Sequence, residues 1–338
     1  MPFANVIGQE GPKRKIRTAL AQEAIGHAYL FSGDDGIGKR LMALRFAQAL
    51  SCEAPPSSSQ PDSCGRCRAC EQIDSGTYPD LLVIEPEQDK ANPQIKIDRV
   101  REIERHVIYR PLLSTRKVCI IDDADRLNAN AANAFLKTLE DPPEHSLFIL
   151  VTSQPLRLLA TVRSRCLTLR FSPATPDQFE GALALKQAAA IEEARFLSRV
   201  CGNRIGAALR TDLSELRSRH DQFFDLCRSE TLTHPTAVLQ QAEELSKAQP
   251  FPDLIDWLSH GLRDVLLMTI GTRQDLLLHQ SQIPLLEQIA ASLTPADVVE
   301  LMDILQTLEQ APTQNLNLQL CLENFLFRFH ETMHRDAA

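Results

Sequence analysis

Apolar residues in the first half of the chain come in short, nearly unbroken runs. AYLF (28–31), DLLVIE (80–85), KVCIID (117–122), SLFILVTS (146–153) and CLTLRF (166–171) each hold at least four apolar residues with little polar alternation. Such runs predict parallel strands covered by helices on both faces. Between them the apolar spacing becomes helical: LMALRFAQAL after the first run, IDRVREIERHVI approached through Asp98, and NANAANAFLKTLED stopped by Pro142-Pro143. Alternating strands and helices predict a doubly wound α/β sheet. After Phe171 the strand pattern ceases. SPATPDQFEGAL through GNRIGAALR (172–210) reads as a small helical bundle, and from Ser214 to His334 the pattern is helical, broken at Pro235, Pro250, Pro252, Pro284, Pro295 and Pro312. No internal repeat stands out. APPSSSQPDS (54–63) reads as a flexible surface loop.

Length and charge narrow this picture. A chain of 338 residues supports two or three domains. Its 43% hydrophobic and 24% charged residues are ordinary for a soluble globular protein. No apolar run approaches the ~20 residues of a membrane span. The start, MPFANVIGQEGPKRK, lacks the apolar core of a signal peptide, so a cytoplasmic location is expected. The net charge of −8 argues against wide contact with DNA phosphates, leaving an indirect role with nucleic acid or a local basic face.

The most informative stretch is GDDGIGKR (33–40), set between a strand run and a helix. It fits seven of the eight positions of the phosphate-loop pattern G-x-x-x-x-G-K-[ST]. In such a loop, backbone N–H groups wrap the phosphates, lysine contacts them, and the final hydroxyl binds Mg²⁺. Gly33, Gly36, Gly38 and Lys39 retain the first two functions. Arg40 stands in the hydroxyl position, has no acceptor atom, and brings a fixed positive charge. Asp34 and Asp35 add negative charge beside any polyphosphate. KVCIIDDAD (117–125) is an apolar strand ending in Asp122-Asp123, where Asp-Glu would orient the metal and activate water. Arg40 is expected to pair with Asp122 in place of the metal. Hydrolysis by this chain is not expected, and nucleotide binding without turnover stays open. A Gly-rich strand–helix turn is also compatible with being only a turn.

Cys52, Cys64, Cys67 and Cys70 place four sulfurs within nineteen residues. The short C-x2-C links suit a tetrahedral Zn²⁺ shell with no open position, hence a structural metal. Free thiols, a disulfide and an iron–sulfur cluster are the competing readings. The scattered Cys119, Cys166, Cys201, Cys227 and Cys321 read as small buried hydrophobes.

VIGQE (6–10), HAYLFSGDDGIGKR (27–40), the four-cysteine insertion, IIDDADRLNANAANAFLKTLEDPPEHSLFILVTS (120–153) and RSRC (163–166) together resemble the bacterial clamp-loader branch of the AAA+ proteins. The resemblance implies an AAA+ α/β domain over 1–170 with a zinc-binding insertion at about 52–70, a helical lid over 171–210, and a helical collar over 211–338. It implies membership of a five-subunit ring with tau/gamma motor subunits and the delta subunit. That ring, part of the DNA polymerase III holoenzyme, places a sliding clamp on primed DNA. Gly33, Gly36, Gly38, Lys39 and Arg40 would form a degenerate phosphate loop, and Asp122 and Asp123 a degenerate Walker B pair. Thr152 falls at the sensor position, or is a strand-end threonine. Arg165 would be an arginine finger serving a neighbour's ATP site; taken alone, it reads as a solvated surface charge. Motor subunits place an Arg just before the Ala-Leu of the lid motif. Here that position falls to Ile205 or Gly206, and the offset Arg204 reads as a helix-surface residue. These implications favour a non-catalytic ring subunit. A motor subunit would need a hydroxyl at position 40 and Glu at 123. A stand-alone zinc-containing nucleic-acid regulator is disfavoured by the acidic balance and the lack of a recognition-helix pattern.

Overall fold

The computed structural model describes residues 2–54, 61–87, 93–187, 191–228, 234–247, 251–271, 274–311 and 316–333. The chain divides into two compact units, Met1–Arg210 and Thr211–Ala338.

The first unit is built on five strands: β1 (Ala28–Ser32), β2 (Leu81–Ile84), β3 (Lys117–Ile121), β4 (Ser146–Thr152) and β5 (Leu167–Arg170). All four pairings are parallel, in the order β2-β3-β4-β1-β5. Around the sheet lie α1 (Glu10–Ala21), α2 (Lys39–Ser51), α3 (Arg68–Asp74), α4 (Ile97–Ile108), α5 (Ala129–Glu140) and α6 (Ala160–Arg163), while α7 (Pro176–Gln187), α8 (Ile191–Val200) and α9 (Ile205–Ala208) pack on one another. β1, β3 and β4 are buried along their whole length, which explains their unbroken apolar runs. Successive side chains still point to opposite faces. Tyr29, Phe31, Ile120 and Ile149 join one core with Met42 and Phe46 of α2. Leu30, Cys119, Ile121 and Phe148 join the other with Val100 and Ile103 of α4 and Phe135 of α5. β5 is an edge strand, and only Leu169 of its four residues is buried.

Helix ends differ from expectation in one place. Asp98 does not lead into α4: the cap is Lys96, in extended conformation, and Asp98 sits in the first helical turn. There its charge complements the helix N-terminus. α5 begins at Asn128, whose side-chain oxygen accepts the Ala131 N–H at 2.9 Å.

The second unit holds α10 (Leu213–Cys227), α11 (Pro235–Lys247), α12 (Phe251–Thr269), α13 (Ile283–Ser292), α14 (Pro295–Gln310) and α15 (Leu318–Met333) around one apolar core. The helical pattern breaks as expected at Pro235, Pro252, Pro284 and Pro295: each lies in the first turn of a new helix, where a missing N–H costs nothing. Pro250 and Pro312 lie outside the described residues. At Gly261, inside α12, an added Cβ would fall 2.4 Å from the Phe223 ring, so glycine lets α10 and α12 approach. Buried Asp264 accepts the N–H groups of Leu278 and His279 and faces His279 Nδ1 at 2.8 Å. His279 Nε2 in turn meets His220 Nδ1 at 2.6 Å. This relay pins the segment before α13 to α10 and α12. No helix among the described residues is long and apolar enough to cross a membrane.

Candidate functional site

In a parallel sheet of this kind, ligands sit beyond the C-terminal strand ends, near the point where the strand order switches. Here β1, β3 and β4 end side by side and bring the loop 33–40, Asp122-Asp123 and Thr152 to one edge. Gly33, Gly36 and Gly38 take positive φ (148°, 76° and 94°), so the backbone turns tightly into α2. Lys39 is buried. Its Nζ donates to the carbonyls of Gly33 and Asp34, both at 2.6 Å, and faces the Asp35 carboxylate at 3.5 Å. The lysine is thus turned inward on its own loop.

Arg40 makes two ion pairs, one with Asp122 at 3.3 Å and one with Glu85. Glu85 follows β2, and the Asp122 N–H donates to the Ile84 carbonyl at 2.9 Å, which holds the two acids side by side. Burial pushes the Asp122 carboxyl above its ordinary range, Arg40 opposes this, and Asp123 adds to it. Asp123 is also raised by burial, against the pull of Arg126. A cation flanked by acids therefore occupies the edge where this loop type has a hydroxyl for the metal. Thr152 is buried, and its hydroxyl donates to Asp125 at 2.5 Å and accepts the Gln154 N–H at 3.0 Å.

A cavity of about 590 Å³ opens beside the loop, with Val6, Ile7, Leu41, Ile205 and Leu209 among its apolar walls. The lid backbone rests directly on the loop, where the Gly206 N–H donates to the Gly36 carbonyl at 2.7 Å. A Cβ on Gly36 would meet Ala207 N at 2.8 Å, and one on Gly206 would meet Gly36 O at 2.8 Å. Both positions need glycine for this close approach. Arg204 turns away, with Nε donating to Cys201 O at 2.9 Å.

Two predicted features lie outside the cavity lining. The sulfurs of Cys52, Cys64, Cys67 and Cys70 all fall within 4.8 Å of one another and could hold one metal ion. Cys64 N–H points at Cys52 Sγ (3.3 Å), while Arg66 N–H and Cys67 N–H point at Cys64 Sγ (3.5 and 3.3 Å). These amides, Arg66 first, bring the Cys64 thiol down to about 6, whereas burial raises Cys52 and Cys70. Four converging sulfurs with amides aimed at two of them suit a thiophilic ion. The knob is also anchored. Gln48 donates to Cys70 O at 2.9 Å, and Asp62 accepts the Phe3 N–H at 3.3 Å with Arg17 3.8 Å away. Residues 61–63 are thus tied down within a stretch read as flexible, while 55–60 lie outside the described residues.

The second feature is the RSRC segment. Arg163 is committed inward, donating to Pro155 O at 3.0 Å. Arg165 instead projects at the surface, with Nη2 on Glu140 at 2.8 Å and Nη1 on Thr161 O at 2.9 Å. Burial pushes the Cys166 thiol up to about 12; the residue is partly buried and packs against the core that holds Phe135 and Val162.

Strand order, phosphate loop, acidic strand end and helical lid define an AAA+-type module followed by a helical domain. A family profile described as "DNA polymerase III, delta subunit" matches residues 8–175, and "DNA polymerase III, delta subunit, C terminal" matches residues 215–331. The chain is 32% identical to DNA polymerase III subunit delta' of Pseudomonas aeruginosa, over 90% of this chain and 91% of that protein. It is 29% identical to subunit delta' of Bacillus subtilis, over 94% of each. It is 38% identical to subunit tau of Bacillus subtilis over 53% of this chain but only 30% of that protein. The chain belongs to the DNA polymerase III delta' family, in the clamp-loader branch of the AAA+ proteins.

Proposed function

We propose that this clamp-loader subunit is a stator: it does not hydrolyse ATP but serves a neighbour that does. The observation that carries the reading is Arg40, a fixed cation paired with Asp122 and Glu85 where the loop type needs a metal-binding hydroxyl. Lys39, spent on its own loop's carbonyls, points the same way. Nucleotide binding in the cavity would not amount to turnover. A motor-subunit reading needs a hydroxyl at 40 and Glu at 123, and the chain has Arg40 and Asp123.

In this reading the ring contains tau/gamma motors and the delta subunit, and it loads a sliding clamp on primed DNA in the cytoplasm as part of the polymerase III holoenzyme. Residues 171–210 act as the lid and 211–338 as a collar segment. Cys52, Cys64, Cys67 and Cys70 hold a structural Zn²⁺, which would cross-link the knob and, having no open position, take no part in chemistry.

Arg165 is the residue offered to the neighbour's ATP site. A guanidinium supplied in trans stabilises charge developing on the γ-phosphate, typically worth ~10³–10⁵ in rate at that site. The test is a ring reconstituted with Arg165→Ala. Reduced ATPase with assembly intact is expected. Unchanged ATPase removes Arg165 from this role.

A further inference from the structure

We propose that Glu140 is a positioning residue for Arg165: it holds the guanidinium in the orientation that it presents to the neighbouring subunit. The proposal rests on the finger reading of Arg165 and extends it.

Glu140 is the last residue of α5, and Arg165 follows α6. The two short contacts of Arg165 fall on different Nη atoms: Nη2 donates to Glu140 Oε1 at 2.8 Å and Nη1 to the Thr161 carbonyl at 2.9 Å. A planar guanidinium held at both ends has its plane fixed, whereas a free arginine samples many rotamers. Both supports are themselves fixed. Phe135 and Leu139 bury α5 against the sheet, and Val162 buries α6 in the same core. α5 is capped by Asn128 at one end and stopped by Pro142 at the other. Its C-terminus carries partial negative charge, which also favours a cation there.

The pair remains accessible, with side-chain exposure of 35% for Arg165 and 54% for Glu140. Guanidinium hydrogens beyond these contacts remain for an incoming anion. Arg163, two residues earlier, points inward to Pro155 O and has no such acidic support. Pre-orienting a charge before docking removes an ordering cost from the assembled site. Since the pair is half-exposed, the effect is modest.

The experiment compares Glu140→Ala, Glu140→Gln, Arg165→Ala and the double variant in the reconstituted ring. Rates are read per assembled ring after gel filtration, so weaker assembly lowers yield and not the value. Glu140→Ala should lower kcat about two- to five-fold, the range of an exposed ion pair, with KM for ATP unchanged. Glu140→Gln, which keeps the oxygen acceptor, should recover most of the loss. Adding Glu140→Ala to Arg165→Ala should change nothing further. A Glu140→Ala ring as fast as wild type or faster, beside a slow Arg165→Ala ring, overturns the Glu140 role and leaves the finger reading standing. A wild-type rate for Arg165→Ala overturns both.

Discussion

The edge of the sheet at the phosphate loop and the far end of α5 at Arg165 make an instructive pair. The loop keeps nearly all of an elaborate apparatus: three glycines at positive φ, a buried lysine, an acidic strand end and a lid seated on Gly36. Yet its charges answer one another. Lys39 is held by the loop's carbonyls, and Arg40 by Glu85 and Asp122. The Arg165 corner has little apparatus: a four-residue helix, one carboxylate, one carbonyl and, more distantly, the Ser164 hydroxyl. Its cation has one carboxylate partner, Glu140, where Arg40 has two, and its side chain stays 35% exposed. Motif completeness and availability for chemistry are therefore different properties. A loop can match seven positions of eight and be internally satisfied, while a surface arginine held by one carboxylate and one carbonyl keeps guanidinium hydrogens beyond those contacts.

The largest effect expected from testing this contrast is at the outward cation. In the reconstituted ring, Arg165→Lys should lose nearly as much neighbour-site turnover as Arg165→Ala, ~10³-fold or more at the affected site, because an ammonium cannot reproduce a planar fork. Lysine rescuing the rate fully would show that charge alone is used. Assembly, read by gel filtration, should be unchanged in both variants.

Metal removal should separate the two ends. The cysteine knob reaches the N-terminal turn through Asp62 and Phe3, and Val6 and Ile7 beyond that turn wall the loop cavity. Chelation, or Cys67→Ser, is expected to destabilise the first unit by several kcal/mol and to speed amide exchange over residues 2–9. Exchange around Glu140 and Thr161 should respond least. Elemental analysis of about one zinc per chain accompanies this prediction, and a fully folded metal-free protein would contradict it.

A smaller effect concerns the helical unit. Burial, then the neighbouring His279 and His260, lower the His220 imidazole to about 3. Burial raises the Asp264 carboxyl, but the hydrogen bonds from His279 and Leu278 outweigh it and hold it low. A histidine with a depressed folded-state pKa leaves the unfolded chain binding more protons below its ordinary pKa of ~6.5. Stability of this unit should thus be level above pH ~6.5 and fall as the pH drops from there toward 3, by at most ~1.4 kcal/mol per unit. Asp264 adds its loss only below the ordinary carboxylate range. His220→Phe should flatten the upper part of that slope in acid-induced unfolding.

Much of this molecule was legible in its sequence, for identifiable reasons. The five strands followed from local apolar runs, and the loop, the cysteine cluster and the Asp122 partner of Arg40 from short motifs. What could not be read locally depended on strand order and lid docking. Glu85 reaches Arg40 only because β2 lies beside β3, although the terminal acid of DLLVIE was a usable hint. The Gly206–Gly36 contact joins residues 170 positions apart. Asp62 sits in a Ser/Pro-rich stretch whose composition conceals an anchor. Lys39 turned onto its own loop and Glu140 beneath Arg165 are rotamer choices, which no spacing encodes.

The most direct measurement of the central claim is ATP turnover by the purified full chain, alone and with primed DNA and sliding clamp. The account predicts a rate indistinguishable from the blank in both conditions, whether or not nucleotide binds the cavity. Steady turnover by the solitary chain at a motor subunit's rate would contradict it.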